Sequence, residues 1–148
     1  MNYYLLNPGV AGELGDGSEL LYEGGKIKEV IFLEYNFMGW QGDELLTTHP
    51  CFIVTESLQK DIILNGLTGV IFKNIAMTFS DEFFDICGNI KVPKFVQIIC
   101  NDLYENNVEN LHNDFYFNKY KEIIVSEKAL SVLKRHKIDM CIIESLAN

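Results

Sequence analysis

The sequence predicts a single α+β domain over residues 1–148, in which a mixed, mostly antiparallel sheet packs against two short helices. The main observation is a strand–helix–strand pattern that occurs twice, in residues 52–72 and 123–143. Short apolar runs between turn residues elsewhere in the chain are typical of further strands. The length of 148 residues, with 48% hydrophobic and 22% charged residues, fits one globular core.

The first third of the chain predicts strands separated by turns. Residues 2–6 form an apolar run, and the segment 28–37 ends in an alternating pattern, so both are predicted to be strands. The segment 8–25 is predicted to be mostly loop and turn, because it contains six glycines. The spacing of these glycines is not that of a dinucleotide-binding motif. Asp43 has the position of a helix cap, which predicts a short helix through Leu46.

Each of the two similar units contains a hydroxyl residue between its strand and its helix. Thr55 is the expected N-cap of the first helix, and Gly66 is expected to end that helix. Ser126, 71 residues after Thr55, is the expected cap of the second helix. Because a capped helix between two strands is a common unit, the match predicts architecture and leaves gene duplication open.

The segment between the units predicts smaller elements. Residues 80–86 read as a short capped helix, and residues 95–100 read as a strand. Residues 101–113 are rich in asparagine and acidic side chains and are predicted to be an exposed loop. The aromatic strip that follows, Phe115–Tyr120, is either packed in the core or turned toward a partner.

Acidic residues dominate the chain and are unevenly distributed. The net charge is −9, from 21 acidic and 12 basic residues. Lys and Arg are missing from residues 29–59, 74–90 and 100–116. Such a surface repels phosphate backbones, so we expect no direct nucleic-acid binding; it attracts a basic partner or simply aids solubility.

The sequence predicts a cytoplasmic protein without a membrane span. Apolar runs are shorter than the ~20 residues that cross a bilayer, and the N-terminal segment lacks the basic region of a signal peptide. Four scattered cysteines are expected to be reduced core thiols: Cys51, Cys87, Cys100 and Cys141.

No catalytic or metal-binding signature stands out. The chain has no GxSxG motif and no CxxC pair, and its three histidines are far apart in sequence. We therefore expect no cofactor, no metal and no catalytic residue.

Several segments together resemble immunity proteins encoded beside bacterial polymorphic toxins. The resemblance runs from about Trp40 to the C-terminus, and Asn113-Asp114-Phe115 matches an acidic–aromatic element of that family. The segments that carry it are Gly39-Trp40-Gln41-Gly42-Asp43-Glu44-Leu45-Leu46, His49-Pro50-Cys51-Phe52-Ile53-Val54-Thr55-Glu56, Leu67-Thr68-Gly69-Val70 and Ile124-Val125-Ser126-Glu127-Lys128-Ala129-Leu130.

The resemblance implies a protein that binds a cognate toxin domain and blocks its active site without a reaction of its own. A nuclease toxin with a basic groove would suit an acidic inhibitor. The candidate contacts are Trp40, Asp43, Glu44, Asp81, Glu82, Asp85, Asp102, Glu105, Glu109 and Asp114.

Two alternatives stay open at this point. One is a small enzyme with a site near Trp40, Asp43 and His49, which would need a pocket with convergent polar groups. The other is an interaction module that forms a homodimer through the aromatic strip.

Overall fold

The computed structural model describes residues 2–105 and 111–146, and it confirms the α+β fold class. The helices are α1 (Glu56–Leu64), α2 (Asp81–Cys87) and α3 (Glu127–Leu133). The strands, in chain order, are β1 (Tyr3–Asn7), β2 (Gly9–Val10), β3 (Gly12–Leu14), β4 (Glu19–Glu23), β5 (Lys26–Phe32), β6 (Glu34–Phe37), β7 (Leu45–Thr48), β8 (Cys51–Thr55), β9 (Val70–Lys73), β10 (Ala76–Phe79), β11 (Phe95–Cys100), β12 (Phe115–Phe117), β13 (Ile123–Ser126) and β14 (Ile142–Leu146). None of the helices in the described ranges is long and apolar enough to cross a membrane.

The strands form four sheets. A five-stranded sheet has the order β2-β7-β8-β11-β9, and a four-stranded sheet has the order β12-β13-β1-β14. A three-stranded sheet, β10-β6-β3, and the β4–β5 hairpin complete the set. Most pairs are antiparallel; β2 with β7 and β10 with β6 are parallel.

The five-stranded sheet lies in the middle of the molecule and is covered on both faces. One face packs with α1, α3 and the four-stranded sheet in the larger core, which includes Val54, Leu58 and Leu130. The opposite face packs with α2 and the three-stranded sheet around Ile53 and Phe83. Because neighbouring residues of a strand point to opposite faces, Ile53 and Val54 belong to different cores.

The two similar units have the same topology in two different sheets. In the first unit, α1 connects β8 to β9. Strand β11 lies between β8 and β9 and pairs antiparallel with both. In the second, β1 lies between β13 and β14 in the same way. The sequence predicts one sheet, but the two units belong to two different sheets, because each unit pairs with a different inserted strand.

Both predicted helix caps are confirmed. Thr55 Oγ1 accepts the backbone N–H of Leu58 at 3.2 Å, and Ser126 Oγ accepts that of Ala129 at 3.1 Å. These bonds satisfy amide groups that the first turn of a helix leaves without an intrahelical partner.

The predicted helix from Asp43 to Leu46 is wrong, because Leu45 begins strand β7. Leu45 belongs to the larger core and Leu46 to the smaller one, and both are almost fully buried. Adjacent leucines can be buried together in a strand only where both faces of the sheet are covered.

The glycine-rich segment is also more ordered than predicted, since it contains β2, β3 and the whole of β4. A Cβ atom on Gly12 would overlap the carbonyl of Asn36, so glycine there permits close strand approach rather than a turn. The predicted strand 28–37 is two strands, β5 and β6, separated by the buried Leu33.

Candidate functional site

Two of the candidate partner contacts, Glu44 and Asp114, bind helix caps. Thr55 Oγ1 donates to Glu44 Oε1 at 2.6 Å, and Ser126 Oγ donates to Asp114 Oδ1 at 2.7 Å. Each cap also donates its backbone N–H to the carbonyl of the same acidic residue. Because each hydroxyl hydrogen points to a carboxylate, the lone pairs of the hydroxyl oxygen are free to accept from the helix amide.

The same two carboxylates also join the two units to each other. Asp114 Oδ2 accepts the backbone N–H of Thr68 at 3.0 Å, in the loop after α1. Glu44 Oε2 accepts the backbone N–H of Lys137 at 3.4 Å, in the loop after α3. Each carboxylate thus connects its own helix cap with the loop that follows the other helix. Their hydrogen bonds give both residues a structural role.

His136 lies between two carboxylates beside this junction. Its Nδ1 is 3.1 Å from Glu44 Oε1, and its Nε2 is 2.6 Å from Asp61 Oδ2 on α1. A neutral imidazole carries a single N–H, so one of these contacts would place a lone pair against a carboxylate. The geometry therefore favours the doubly protonated, cationic ring.

The ionisation of this cluster follows from its contacts. Burial favours a lower pKa for His136, but hydrogen bonds to Asp61 and Glu44 outweigh it and raise that pKa above 6.5. Burial acts to raise the pKa of Glu44, but hydrogen bonds from Thr55 and His136 outweigh it, and the pKa lies below 4.5. The sequence analysis missed this cluster, because it assigned no individual role to His136.

Asp43 lies inside the protein and does not face a partner. It is 1% exposed, and its Oδ2 accepts the backbone N–H of Met140 at 2.9 Å. Trp40 is half-buried beside it, and the indole N–H donates to the Asp43 carbonyl at 2.8 Å. Through these two hydrogen bonds, Asp43 connects the bend around Trp40 with the loop before β14.

The residues named for the alternative enzyme site do not converge. His49 is exposed in the turn after β7, whereas Asp43 precedes that strand. An extended chain rises ~3.3 Å per residue, which puts these two residues roughly 20 Å apart. Trp40 borders a shallow cavity of about 280 Å³ with Glu44 and Thr55, but Asp43 and His49 do not line it.

Three of the candidate acids lie together on helix α2. Asp81, Glu82 and Asp85 are exposed, and so are Phe84 and Ile86, which are 55% and 75% exposed. We call these five residues the α2 surface. Residues 74–90, which contain it, include no Lys or Arg, so the acids have no basic neighbour along the chain.

The helix that carries the α2 surface is capped at its N-terminus and anchored in the smaller core by Phe83. Ser80 Oγ accepts the backbone N–H of Phe83 at 3.2 Å, which caps the helix. The ring of Phe83 is fully buried and contacts the rings of Phe79 and Phe84. Packing of Phe83 thus fixes the direction in which the exposed side chains point.

The remaining candidate acids lie elsewhere. Asp102 and Glu105 are exposed in the segment after β11, and Asp102 accepts a hydrogen bond from the side chain of Asn113. Strand β11 is six residues long, and α2 precedes its opposite end, so these acids and the α2 surface are roughly 20 Å apart. Glu109 lies outside the described residues.

The aromatic strip is mostly interior. Phe115 is fully buried in the larger core, and Tyr116 packs against Tyr3 and Tyr104 on the other face of its sheet. Tyr120 is exposed. The strip therefore does not form the apolar surface that the homodimer alternative needs.

Of the four cysteines predicted to be core thiols, Cys51 is in the core, and Cys87, Cys100 and Cys141 are partly buried against the two cores. All four are free thiols, and Cys51 is buried. Burial raises the pKa of the Cys51 thiol to about 11 and that of Cys100 to about 12. In the part of the chain that the structure describes, no group of three or more His, Cys, Asp or Glu residues is arranged to hold a metal ion.

Comparison of the chain with protein-family models gives no match, and comparison with curated proteins gives no significant match either.

Proposed function

We propose that this protein is a bacterial immunity protein, which binds the cognate toxin domain of a polymorphic toxin system in the cytoplasm and neutralises it without catalysis. The single observation that carries the proposal is the α2 surface, where acidic and apolar side chains are exposed together on one packed helix. The resemblance of residues 40–148 to such proteins supports the same function.

The composition of the α2 surface suits a protein partner with a basic groove. Exposed acids steer a basic partner toward the surface and accelerate association. Phe84 and Ile86 add apolar area that becomes buried on contact, and aromatic residues are enriched at protein interfaces.

The partner that fits best is a toxin whose active site is itself basic, as in a nuclease. Asp81, Glu82 and Asp85 would then occupy positions that substrate phosphates take. Because these acids belong to a helix that is already formed and capped in the free protein, its backbone need not be ordered when the complex forms.

Charge reversal tests the proposal. The triple variant Asp81→Lys, Glu82→Lys, Asp85→Lys should bind the toxin domain encoded beside it at least ~100-fold more weakly, from about 1 kcal/mol lost per reversed charge. Affinity is measured by isothermal titration calorimetry, with the thermal stability of the variant measured in parallel.

A matched control variant separates the effect of the α2 surface on affinity from the effect of net charge. The variant Glu13→Lys, Asp16→Lys, Glu19→Lys changes the net charge equally in exposed residues at and after β3, the sheet edge opposite β10. It should keep wild-type affinity. Equal weakening by both triple variants would show that net charge matters and the α2 surface does not.

A further inference from the structure

A second feature of the molecule, independent of the α2 surface, is a cavity of about 390 Å³. Its walls come from the five-stranded sheet, the β4–β5 hairpin and residues near β12. The hairpin forms a sheet of its own in the described part of the chain, so it covers the cavity without extending another sheet. The volume is in the range of small-molecule sites.

The cavity gathers basic residues in an acidic protein. Lys28, Lys73 and Lys121 line it, against one lining acid, Glu29; Lys28 Nζ also lies 3.4 Å from Glu23 Oε2, an acid of the hairpin outside the lining. These are three of the 12 basic residues of a chain whose net charge is −9. Positive charges placed around a cavity repel one another, and an anion bound among them would relieve that repulsion.

Two of the lysines are held in place by backbone carbonyls of the hairpin. Lys73 Nζ donates to the carbonyl of Ile31 at 2.8 Å, and Lys121 Nζ donates to the carbonyls of Lys28 and Ile27 at 3.0 and 3.3 Å. An ammonium group has three N–H donors. Both lysines therefore keep donor capacity while their positions are fixed.

Gln97 is the second, independent indication of a ligand. It lines the cavity, is 6% exposed, and its Nε2 donates to Cys51 Sγ at 3.5 Å. Its Oε1 is buried and accepts no hydrogen bond from the described residues. Rotating the amide by 180° would exchange the two atoms, so in either orientation one polar group of Gln97 lacks a strong partner. Buried amides without partners are rare in folded proteins, because they are costly.

The rest of the lining is apolar. Val30, Phe52, Ile98 and Phe117 contribute to it. Burial raises the pKa of Cys51 to about 11, so the thiol stays neutral and adds no negative charge. We propose that this cavity binds a small organic anion, whose charged group contacts Lys73 and Lys121 and whose apolar body carries a hydrogen-bond donor for Gln97 Oε1.

The test uses two anionic probes with matched neutral compounds. Indole-3-carboxylate and adenosine monophosphate carry a carboxylate and a phosphate, and indole and adenosine are their neutral counterparts. At least one anion should bind tenfold or more tightly than its neutral counterpart in calorimetry, and the better anion identifies the charged group. Binding should shift the NMR signals of the Gln97 side-chain amide.

Variants place the binding in the cavity. Lys28→Met keeps both hairpin anchors and should weaken the better anion at least threefold, whereas Lys60→Met, an exposed lysine of α1, should not. Gln97→Met should weaken binding tenfold while the melting temperature of the empty protein stays equal or rises, because the unpaired amide is gone.

A purely structural role for Gln97 would give the opposite result, a lower melting temperature with unchanged binding. That result overturns the proposal, as does equal binding of charged and neutral probes or no binding of either anion. None of these outcomes depends on whether the α2 surface binds a toxin.

Discussion

Replacing His136 with glutamine should destabilise the protein by an amount that depends on pH. In the native protein the ring lies between Glu44 and Asp61, 3.1 and 2.6 Å from their oxygens. Glutamine can donate to one of the two carboxylates but carries no charge. The substitution therefore leaves two negative groups near each other with no cation between them.

The magnitude follows from burial. Hydrogen bonds to charged groups contribute about 1.5–3 kcal/mol each when buried, and exposed ion pairs contribute about 0–1 kcal/mol. The side chain of His136 is 10% exposed, but Glu44 and Asp61 are 21% and 31% exposed, so solvent screens both contacts in part. We expect a loss of about 2 kcal/mol in the free energy of unfolding, or roughly 4–8 °C in melting temperature.

The direction of the pH dependence is fixed by the two pKa shifts. The pKa of His136 is raised above 6.5 in the folded protein, so its stabilising effect is complete below pH 6.5 and is lost as pH rises through the folded pKa. The pKa of Glu44 is lowered below 4.5, so its effect is present above pH 4.5 and is lost as pH falls. The stability difference between wild type and variant should be largest between those values.

The assay is urea unfolding of wild type and His136→Gln at pH 5.5 and pH 9. The difference in unfolding free energy should be about 2 kcal/mol at pH 5.5 and should shrink at pH 9. The control is His49→Gln, because His49 is exposed in the turn after β7 and lies outside this cluster. An equal difference at both pH values would refute the assignment of a cationic His136.

Three further predictions concern groups that the structure places inside the fold. Ser126→Ala should lower the free energy of unfolding by about 1–2 kcal/mol, because it removes a helix cap and leaves Asp114 without its hydroxyl partner; urea unfolding measures this. Asp43→Ala should cost about 1–3 kcal/mol through the lost hydrogen bond, yet the folded variant should bind the toxin like wild type in calorimetry. Cys51 should react with iodoacetamide at pH 8 much more slowly in the folded protein than in urea-unfolded protein, as followed by mass spectrometry; equal rates would contradict its burial and raised pKa.

Features with local causes could be predicted from the sequence. Thr55 and Ser126 cap helices because a hydroxyl group can reach an amide three residues away, which is visible in the sequence. The same holds for the capped helix α2 and the strand β11. The fold class followed from such local patterns.

Features that depend on distant contacts could not be predicted. His136 meets Asp61 and Glu44 across 75 and 92 residues, and no local pattern shows that proximity. Strand β7 was mistaken for a helix because two adjacent leucines are buried in opposite directions. Glu44 and Asp114 looked like free surface acids, since nothing near them in sequence reveals their partners in the other unit.

Two sequence features could have indicated the roles of Glu44, Asp114 and Gln97. Glu44 precedes Thr55 by 11 residues and Asp114 precedes Ser126 by 12, so the similarity of the two units extends to their carboxylates. Gln97 is the only polar residue of the apolar run Phe95–Cys100 apart from cysteine. A polar side chain in a buried strand needs a partner, and that need points to the cavity.

The most direct test of the proposed function is a titration of the toxin domain's own activity with this protein. Wild-type protein should abolish that activity at a fixed molar ratio, and the charge-reversed α2 variant should leave it intact while remaining folded. If the toxin stays active in the presence of excess wild-type protein, or if the α2 variant inhibits as well as wild type, the proposed role of this surface is contradicted.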